Sequence, residues 1–307
     1  MKIAVIGTGG VGGYFGGKMA KAGFDVTFLA RGNQLKALQE KGLTVKSILG
    51  DFHVDSVQAT DTISKIGKCD LIILCNKAWQ LKEVAADLKS IVKDDSVILP
   101  LQNGVVAADE IGAVINKKNI IGGLCRIISK IESPGVINHF GITPIIVFGE
   151  LDNSKSDRAD RIKELFDKSG IDSKISDNIT SELWKKFIGI CVSGLLAVTK
   201  STYGEIRELP ETRQMMIDLM NEVYQLAQRI GIHIESDFVD KSVLAIDKFP
   251  YETTSSLTRD VWEGKPSEIE YQNGTVVRLA KQYNVDVPVN RFVYCCILPM
   301  EKKARGK

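Results

Sequence analysis

An excess of charge of one sign is the first thing this sequence lacks. Lys and Arg number 40 against 38 Asp and Glu, a formal net charge of +2. Nucleic-acid binding needs a basic face, so no nucleic-acid partner is expected, and any anion must be recognised by local charge. Long apolar runs are missing as well. The longest, residues 187–198, falls short of the ~20 residues that cross a bilayer. Lys2 is followed at once by Ile3-Ala4-Val5-Ile6-Gly7, too short and too glycine-rich for a signal peptide. No membrane partner and a cytoplasmic location are the expectations. Histidine is scarce, and His53, His139 and His233 lie far apart. The six cysteines (Cys69, Cys75, Cys125, Cys191, Cys295 and Cys296) have no paired metal-ligand spacing. Most sit among apolar neighbours, where cysteine acts as a small hydrophobe, and a bridge between the adjacent Cys295 and Cys296 would be strained. Neither a metal site nor a disulfide framework is expected.

What is present fits a soluble globular protein. Apolar residues make up 44% and charged residues 25%, which excludes a disordered chain. The first half alternates short apolar runs with helical patterns. Residues 2–6, 25–30, 70–75, 96–101 and 120–129 read as strands, and 12–22, 34–41 and 81–92 as helices. Uninterrupted apolar strands in a βαβ rhythm predict a doubly wound parallel sheet. Pro134-Gly135 and Gly141 punctuate a stretch that reads as 136–140 paired antiparallel with 144–149, followed by a helix over 156–169. Beyond Ser176 the pattern is helical throughout: 178–200, broken near Gly194, then 211–230, 236–248, 255–262 and 267–283. The fold class is therefore α/β, with an N-terminal Rossmann-like doubly wound domain over 1–176 and an all-helical domain over 177–307. Residues 301–307 read as a frayed, solvated end.

Gly7-Thr8-Gly9-Gly10-Val11-Gly12 follows an apolar strand and opens a helix. That is the context the G-x-G-x-x-G dinucleotide fingerprint requires: glycine at the turn, glycine where backbone meets pyrophosphate, and glycine where helix packs on strand. The second strand ends at Arg31 rather than at Asp or Glu. A guanidinium fork suits a ribose 2′-phosphate, so NADP(H) is favoured over NAD(H). Two other strand ends carry polar side chains, Lys77 and Asn103, at the edge where ligands bind in open α/β sheets. In the helical half, Lys185 and Lys186 open the most apolar helix, and spacing alone does not decide which turns inward. Ser267 and Glu270 have capping-box spacing. Glu268 is left over as a carboxylate at a helix start, kept ionised by the macrodipole.

These pieces together resemble the ketopantoate reductase (2-dehydropantoate 2-reductase) family along nearly the whole chain. The resemblance is carried by the glycine loop, Arg31, Asn76-Lys77-Ala78-Trp79-Gln80, Gln102-Asn103-Gly104 and Trp184-Lys185-Lys186-Phe187. It continues through Thr254-Ser255-Ser256-Leu257 and Glu268-Ile269-Glu270-Tyr271-Gln272-Asn273-Gly274. It implies that Lys186 is the catalytic lysine and Lys185 its surface neighbour, with Glu268 bonding the substrate oxygen and Ser256 contacting substrate. Lys77 and Asn103 become active-site and cofactor contacts, and Glu268 is counted among the cofactor contacts too. The reaction implied is hydride transfer from NADPH to a small anionic 2-oxo acid, ketopantoate, giving (R)-pantoate for coenzyme A synthesis. The family's familiar members carry asparagines where this chain has Ile190, Gly194 and Thr253. A different, more apolar branched 2-oxo acid is therefore the alternative substrate, and a non-catalytic NADP(H) sensor is the alternative of another class. A homodimer through the helical half is compatible with the sequence.

Overall fold

The computed structural model describes residues 1–306. The chain is mixed α/β and divides into two compact units, Met1–Gln102 with Val106–Ile179, and Asn103–Val105 with the chain from Thr180 onward.

The strands of the first unit are β1 (Lys2–Ile6), β2 (Asp25–Leu29), β3 (Leu43–Ser47), β4 (Phe52–Val54), β5 (Gln58–Thr60), β6 (Leu71–Leu74), β7 (Val97–Pro100), β8 (Gly122–Arg126), β9 (Ser129–Ser133), β10 (Val136–His139), β11 (Ile145–Gly149) and β12 (Ser173–Ile175). Its helices are α1 (Gly10–Lys21), α2 (Gly32–Lys41), α3 (Leu81–Leu88), α4 (Ala107–Gly112) and α5 (Asp157–Lys168). Five strands in the order β5-β2-β1-β6-β7 form a wholly parallel sheet. Their apolar runs follow from burial on both faces. Ile3, Val5, Leu71, Ile73 and Leu99 enter one core cluster, and Ala4, Ile6, Ile72, Leu74 and Ile98 enter the other. Each such Val, Leu or Ile side chain contributes about 1.5–3 kcal/mol when fully buried. Chain order reverses at β1, so the crevice beyond the ends of β1 and β6 is the switch point where such sheets bind ligands.

The expected hairpin of 136–140 with 144–149 does not form. β10 instead pairs parallel with β3 and antiparallel with β9, in a sheet ordered β4-β3-β10-β9. β11 pairs antiparallel with β8 and parallel with β12. Packing decides this over local sequence. β3 and β10 lie against α1, close enough that a Cβ on Gly13 would sit 2.6 Å from Ile137 Cγ1. β11 buries Phe148 edge-on against Phe166 of α5, ring centres 5.5 Å apart.

The second unit comprises the helices that begin with α6 (Ile179–Thr199), whose first residue belongs to the first unit. They continue with α7 (Tyr203–Glu208), α8 (Pro210–Ile230), α9 (Phe238–Ile246), α10 (Ser256–Trp262), α11 (Asn273–Tyr283) and α12 (Pro288–Ala304). Pro210 at the start of α8 and Gly231 in the left-handed region after it set that helix's limits. Phe187, Ile188, Cys191, Val192 and Leu195 of α6 are fully buried in one core with Leu219, Met220 and Val223 of α8.

Three expectations fail here. α6 runs unbroken through Gly194, at which Asn273 of α11 and Val293 of α12 come close. The helix expected from Ser267 starts only at Asn273, after a single 3-10 turn over Ile269–Tyr271. Ser267 and Glu270 form no capping box. Ser267 gives its N–H and hydroxyl to Glu301, and Glu270 accepts from Tyr294 and Arg278. Finally, the chain at 301–304 is not frayed: it is the last turn of α12, and Glu301 is only 4% exposed. Lys307 lies outside the described residues. Among the described residues no helix is long and apolar enough to cross a membrane.

Candidate active site

The glycine loop joins β1 to α1 in the first unit. Gly7 has φ +98°, and a Cβ there would lie 2.7 Å from the Asn76 nitrogen. Gly12 packs so tightly that a Cβ would stand 2.1 Å from the Gly7 carbonyl oxygen, whereas at Gly9 it would meet nothing within 4 Å. The three glycines thus divide into a turn, an open position and a helix–strand contact. Thr8 Oγ1 donates to Leu29 O at 3.0 Å, and Gln34 Nε2 donates to Thr8 O at 3.2 Å, which pins the loop to the β2–α2 connection. No side chain caps α1, so the N–H groups of Gly10, Val11 and Gly12 at its first turn can serve an anion.

Beside the loop lies a cleft of about 300 Å³, lined by Gly7, Thr8, Arg31, Gln34, Asn76 and Gln80, with Glu83 and Asp87 of α3. Arg31 stands exposed at the start of α2 and makes no ion pair among the described residues. An elongated site with open backbone donors and an available guanidinium fits a dinucleotide phosphate chain. Asn76, rather than Lys77, lines the cleft. Its Oδ1 accepts from Gln102 Nε2 at 3.0 Å, while the Lys77 ammonium lies 5.5 Å from the Trp79 ring centre. Asn76 closes the same buried strand as Lys77 and was legible by that position. Gln34, Glu83 and Asp87 carry no comparable signal. Burial pushes the Cys75 thiol far above its ordinary value, so it stays neutral at the strand end.

The second cluster lies wholly in the helical unit. Lys186, in the second turn of α6, donates from Nζ to Asn103 Oδ1 at 2.9 Å. Asn103 Nδ2 donates in turn to Glu268 Oε2 at 3.1 Å. One amide therefore holds an ammonium at one end and a carboxylate, 6% exposed, at the other. Lys185 turns the other way, pairing with Glu235 at 2.8 Å and Glu182 at 3.7 Å. Ser256 is exposed at the first position of α10, outside this bonded set. Its helix is tied to α6 by Thr258 Oγ1, which donates to Ser193 O at 2.9 Å. A cationic donor and an anionic acceptor oriented by a neutral amide can grip an oxygen and move a proton to it.

A family model described as ketopantoate reductase PanE/ApbA matches residues 3–153, and its C-terminal counterpart matches residues 178–301. The chain belongs to the ketopantoate reductase family. It is accordingly an oxidoreductase of that family. It is 32% identical over 300 residues to a 2-dehydropantoate 2-reductase of Nostoc sp., covering 95% of this chain and 93% of that one. It is 30% identical over 297 residues to the uncharacterized oxidoreductase YkpB of Bacillus subtilis, covering 96% and 97%. The crystal structure of a PanE/ApbA family ketopantoate reductase from Ralstonia eutropha superposes with a TM-score of 0.91 at 28% identity, covering 99% of this chain and all of the other.

Against the ketopantoate reductase pattern, the three missing asparagines have different fates. Ile190 stands half-buried one helical turn after Lys186. Thr253 is half-buried before α10, its carbonyl accepting from Tyr203 N at 3.0 Å. Gly194 leaves no vacancy. A Cβ there would lie 2.5 Å from Asn273 Oδ1 and 2.6 Å from Val293 Cγ1. Asn273 is held in that place by its own bonds, donating to Cys191 O at 3.1 Å and Asn290 Oδ1 at 2.9 Å.

Proposed function

We propose that this protein reduces 2-dehydropantoate (ketopantoate) to (R)-pantoate with NADPH, a step of pantothenate and coenzyme A biosynthesis. The observation that carries the proposal is the Lys186–Asn103–Glu268 set, an ammonium and a carboxylate fixed on one amide. The loop residues Gly7, Thr8, Gly9, Gly10, Val11 and Gly12 would hold the cofactor's pyrophosphate, Arg31 its 2′-phosphate, and Lys77, Asn103 and Glu268 further parts of it. Bound nicotinamide supplies the hydride for the 2-oxo carbon. Lys186 polarises the oxygen of the 2-oxo group and then gives it the proton that completes the alcohol, since an ammonium is cationic at neutral pH. Glu268 accepts from the resulting hydroxyl and so fixes its position. Asn103 keeps both groups aimed, and Ser256 donates to the anionic substrate.

A second reading keeps the reaction and changes the substrate. Ile190 puts an apolar side chain one turn from Lys186, which favours a branched 2-oxo acid without a hydroxyl to satisfy. Buried polar groups left unpaired cost about 1–3 kcal/mol each, so the two substrates should be easily told apart. The test is cofactor oxidation by the purified protein, with NADPH or NADH. Ketopantoate is compared with 3,3-dimethyl-2-oxobutanoate, the same skeleton lacking the hydroxyl. Faster turnover of ketopantoate with NADPH supports the first reading, and faster turnover of the dimethyl acid the second. NADPH binding without oxidation by any 2-oxo acid contradicts both and leaves a sensor.

A further inference from the structure

Glu268 is not placed by a helix. It lies in the turn between Pro266 and the short 3-10 segment, and α11 begins only at Asn273. What immobilises the turn is the residue just before it. Ser267 is fully buried, and its N–H and hydroxyl both donate to one carboxylate oxygen, Glu301 Oε2, at 2.8 and 2.7 Å. The Ser267 carbonyl accepts from Arg305 Nη2 at 3.2 Å, and Arg305 Nε closes the ring on Glu301 Oε1. Every polar group of Ser267 is thus engaged by the last turn of α12 and the Arg305 that caps it. On the far side, the Glu268 carbonyl accepts from Tyr271 N at 2.9 Å and Gln272 N at 3.0 Å.

A carboxylate so deeply buried is costly unless it is paired and hydrogen-bonded. Surface solubility does not explain a side chain 3% exposed, and α12 needs no anion near its C-terminus, where the helix dipole disfavours one. We infer that Glu301, braced by Arg305, is a positioning residue: through Ser267 it holds the Glu268 carboxylate at the distance from Asn103 that the reaction needs. The inference rests on the reductase reading for its kinetic consequence, while the clamp itself is a property of the helical unit. Displacements of about 1 Å from remote changes can cost up to ~100-fold in rate.

The experiment uses the full chain and whichever 2-oxo acid the wild type reduces fastest. Glu301→Ala is expected to lose about ten- to a hundredfold in kcat/KM, mostly in kcat. Glu301→Gln keeps an acceptor for Ser267 and should recover most of the loss. In a Glu268→Ala background, Glu301→Ala should have no further effect, because the carboxylate it positions is gone. Wild-type kcat/KM in folded Glu301→Ala, or an equal loss in the Glu268→Ala background, overturns the inference. If Glu301→Ala does not fold, Ser267→Ala removes one of the two bonds and is expected to show a smaller loss of the same kind. No loss there overturns it as well. If the wild type reduces no 2-oxo acid, the functional reading fails separately, and amide hydrogen exchange decides the clamp. Faster exchange confined to residues 266–272 in Glu301→Ala or Ser267→Ala supports it, and unchanged exchange sinks it.

Discussion

Lys186 and Asn103 are joined by a 2.9 Å hydrogen bond from the ammonium to the side-chain carbonyl, which fixes which way the amide faces. With the carbonyl committed to lysine, the amide nitrogen must point at Glu268, and it does, at 3.1 Å. Asn103→Ala removes the bridge and leaves two charged groups each short of a partner. An unsatisfied buried group costs about 1–3 kcal/mol, so kcat/KM is expected to fall by roughly 5- to 150-fold. Steady-state kinetics at saturating NADPH will check this.

Cofactor choice is expected to rest on Arg31. The exposed guanidinium at the cleft is a donor fork that makes no ion pair among the described residues, and it matches a 2′-phosphate better than a hydroxyl. Arg31→Ala should raise KM for NADPH by about tenfold or more and leave KM for NADH nearly unchanged. Equal effects on both cofactors would mean that Arg31 does not read the 2′ position.

The two α6 positions that depart from the family should answer differently to restoration of asparagine. Ile190→Asn adds an amide at a half-buried site one turn from Lys186. It is expected to raise the ratio of kcat/KM for ketopantoate over 3,3-dimethyl-2-oxobutanoate by about tenfold. Gly194→Asn puts side-chain atoms where Asn273 and Val293 already stand. Overpacking of this kind costs about 1–3 kcal/mol, so calorimetry should find a lower melting temperature with no gain for ketopantoate.

Much of the fold was legible because both faces of the parallel sheet are buried. Runs such as Leu71–Leu74 then have to be uniformly apolar. The glycine loop was legible for a related reason, since few residues other than glycine satisfy its turn and its contact with β1. The pairing of β10 was not. Local turn residues suggested a hairpin with β11, whereas the partners are β9 and β3, the latter chosen by packing against α1. The start of α11 was also misread, because Ser267 spends its hydroxyl on a glutamate 34 residues away rather than on its own helix. In the site, Lys186 could not be told from Lys185 by spacing. The family resemblance singles out Lys186, and the opposite directions of Asn103 and Glu235 separate the two in the structure.

Acid stability in the first unit is expected to depend on Glu150. Burial pushes its carboxyl up, but the Arg158 guanidinium, bonded to both of its oxygens, and the Ser156 hydroxyl together hold it below the ordinary value. A depressed carboxylate stabilises the fold fully above the unfolded pKa and loses that contribution as pH falls through the folded one. Arg158→Ala strands the buried carboxylate and should cost about 3–5 kcal/mol at neutral pH. As pH falls through that lowered folded value the wild type loses the same interaction, so the difference in melting temperature should narrow there. A gap that stays constant with pH would show the pair to be inert.

The most direct test of the central claim compares kcat/KM for ketopantoate with NADPH in the wild type, Lys186→Ala and Lys185→Ala. Lys186 as the proton donor predicts a loss of about 10²–10⁴-fold in Lys186→Ala with NADPH still bound, and near wild-type rates in Lys185→Ala, whose ammonium pairs with Glu235 and Glu182. Equal losses in the two variants, or undiminished turnover in Lys186→Ala, would contradict the account.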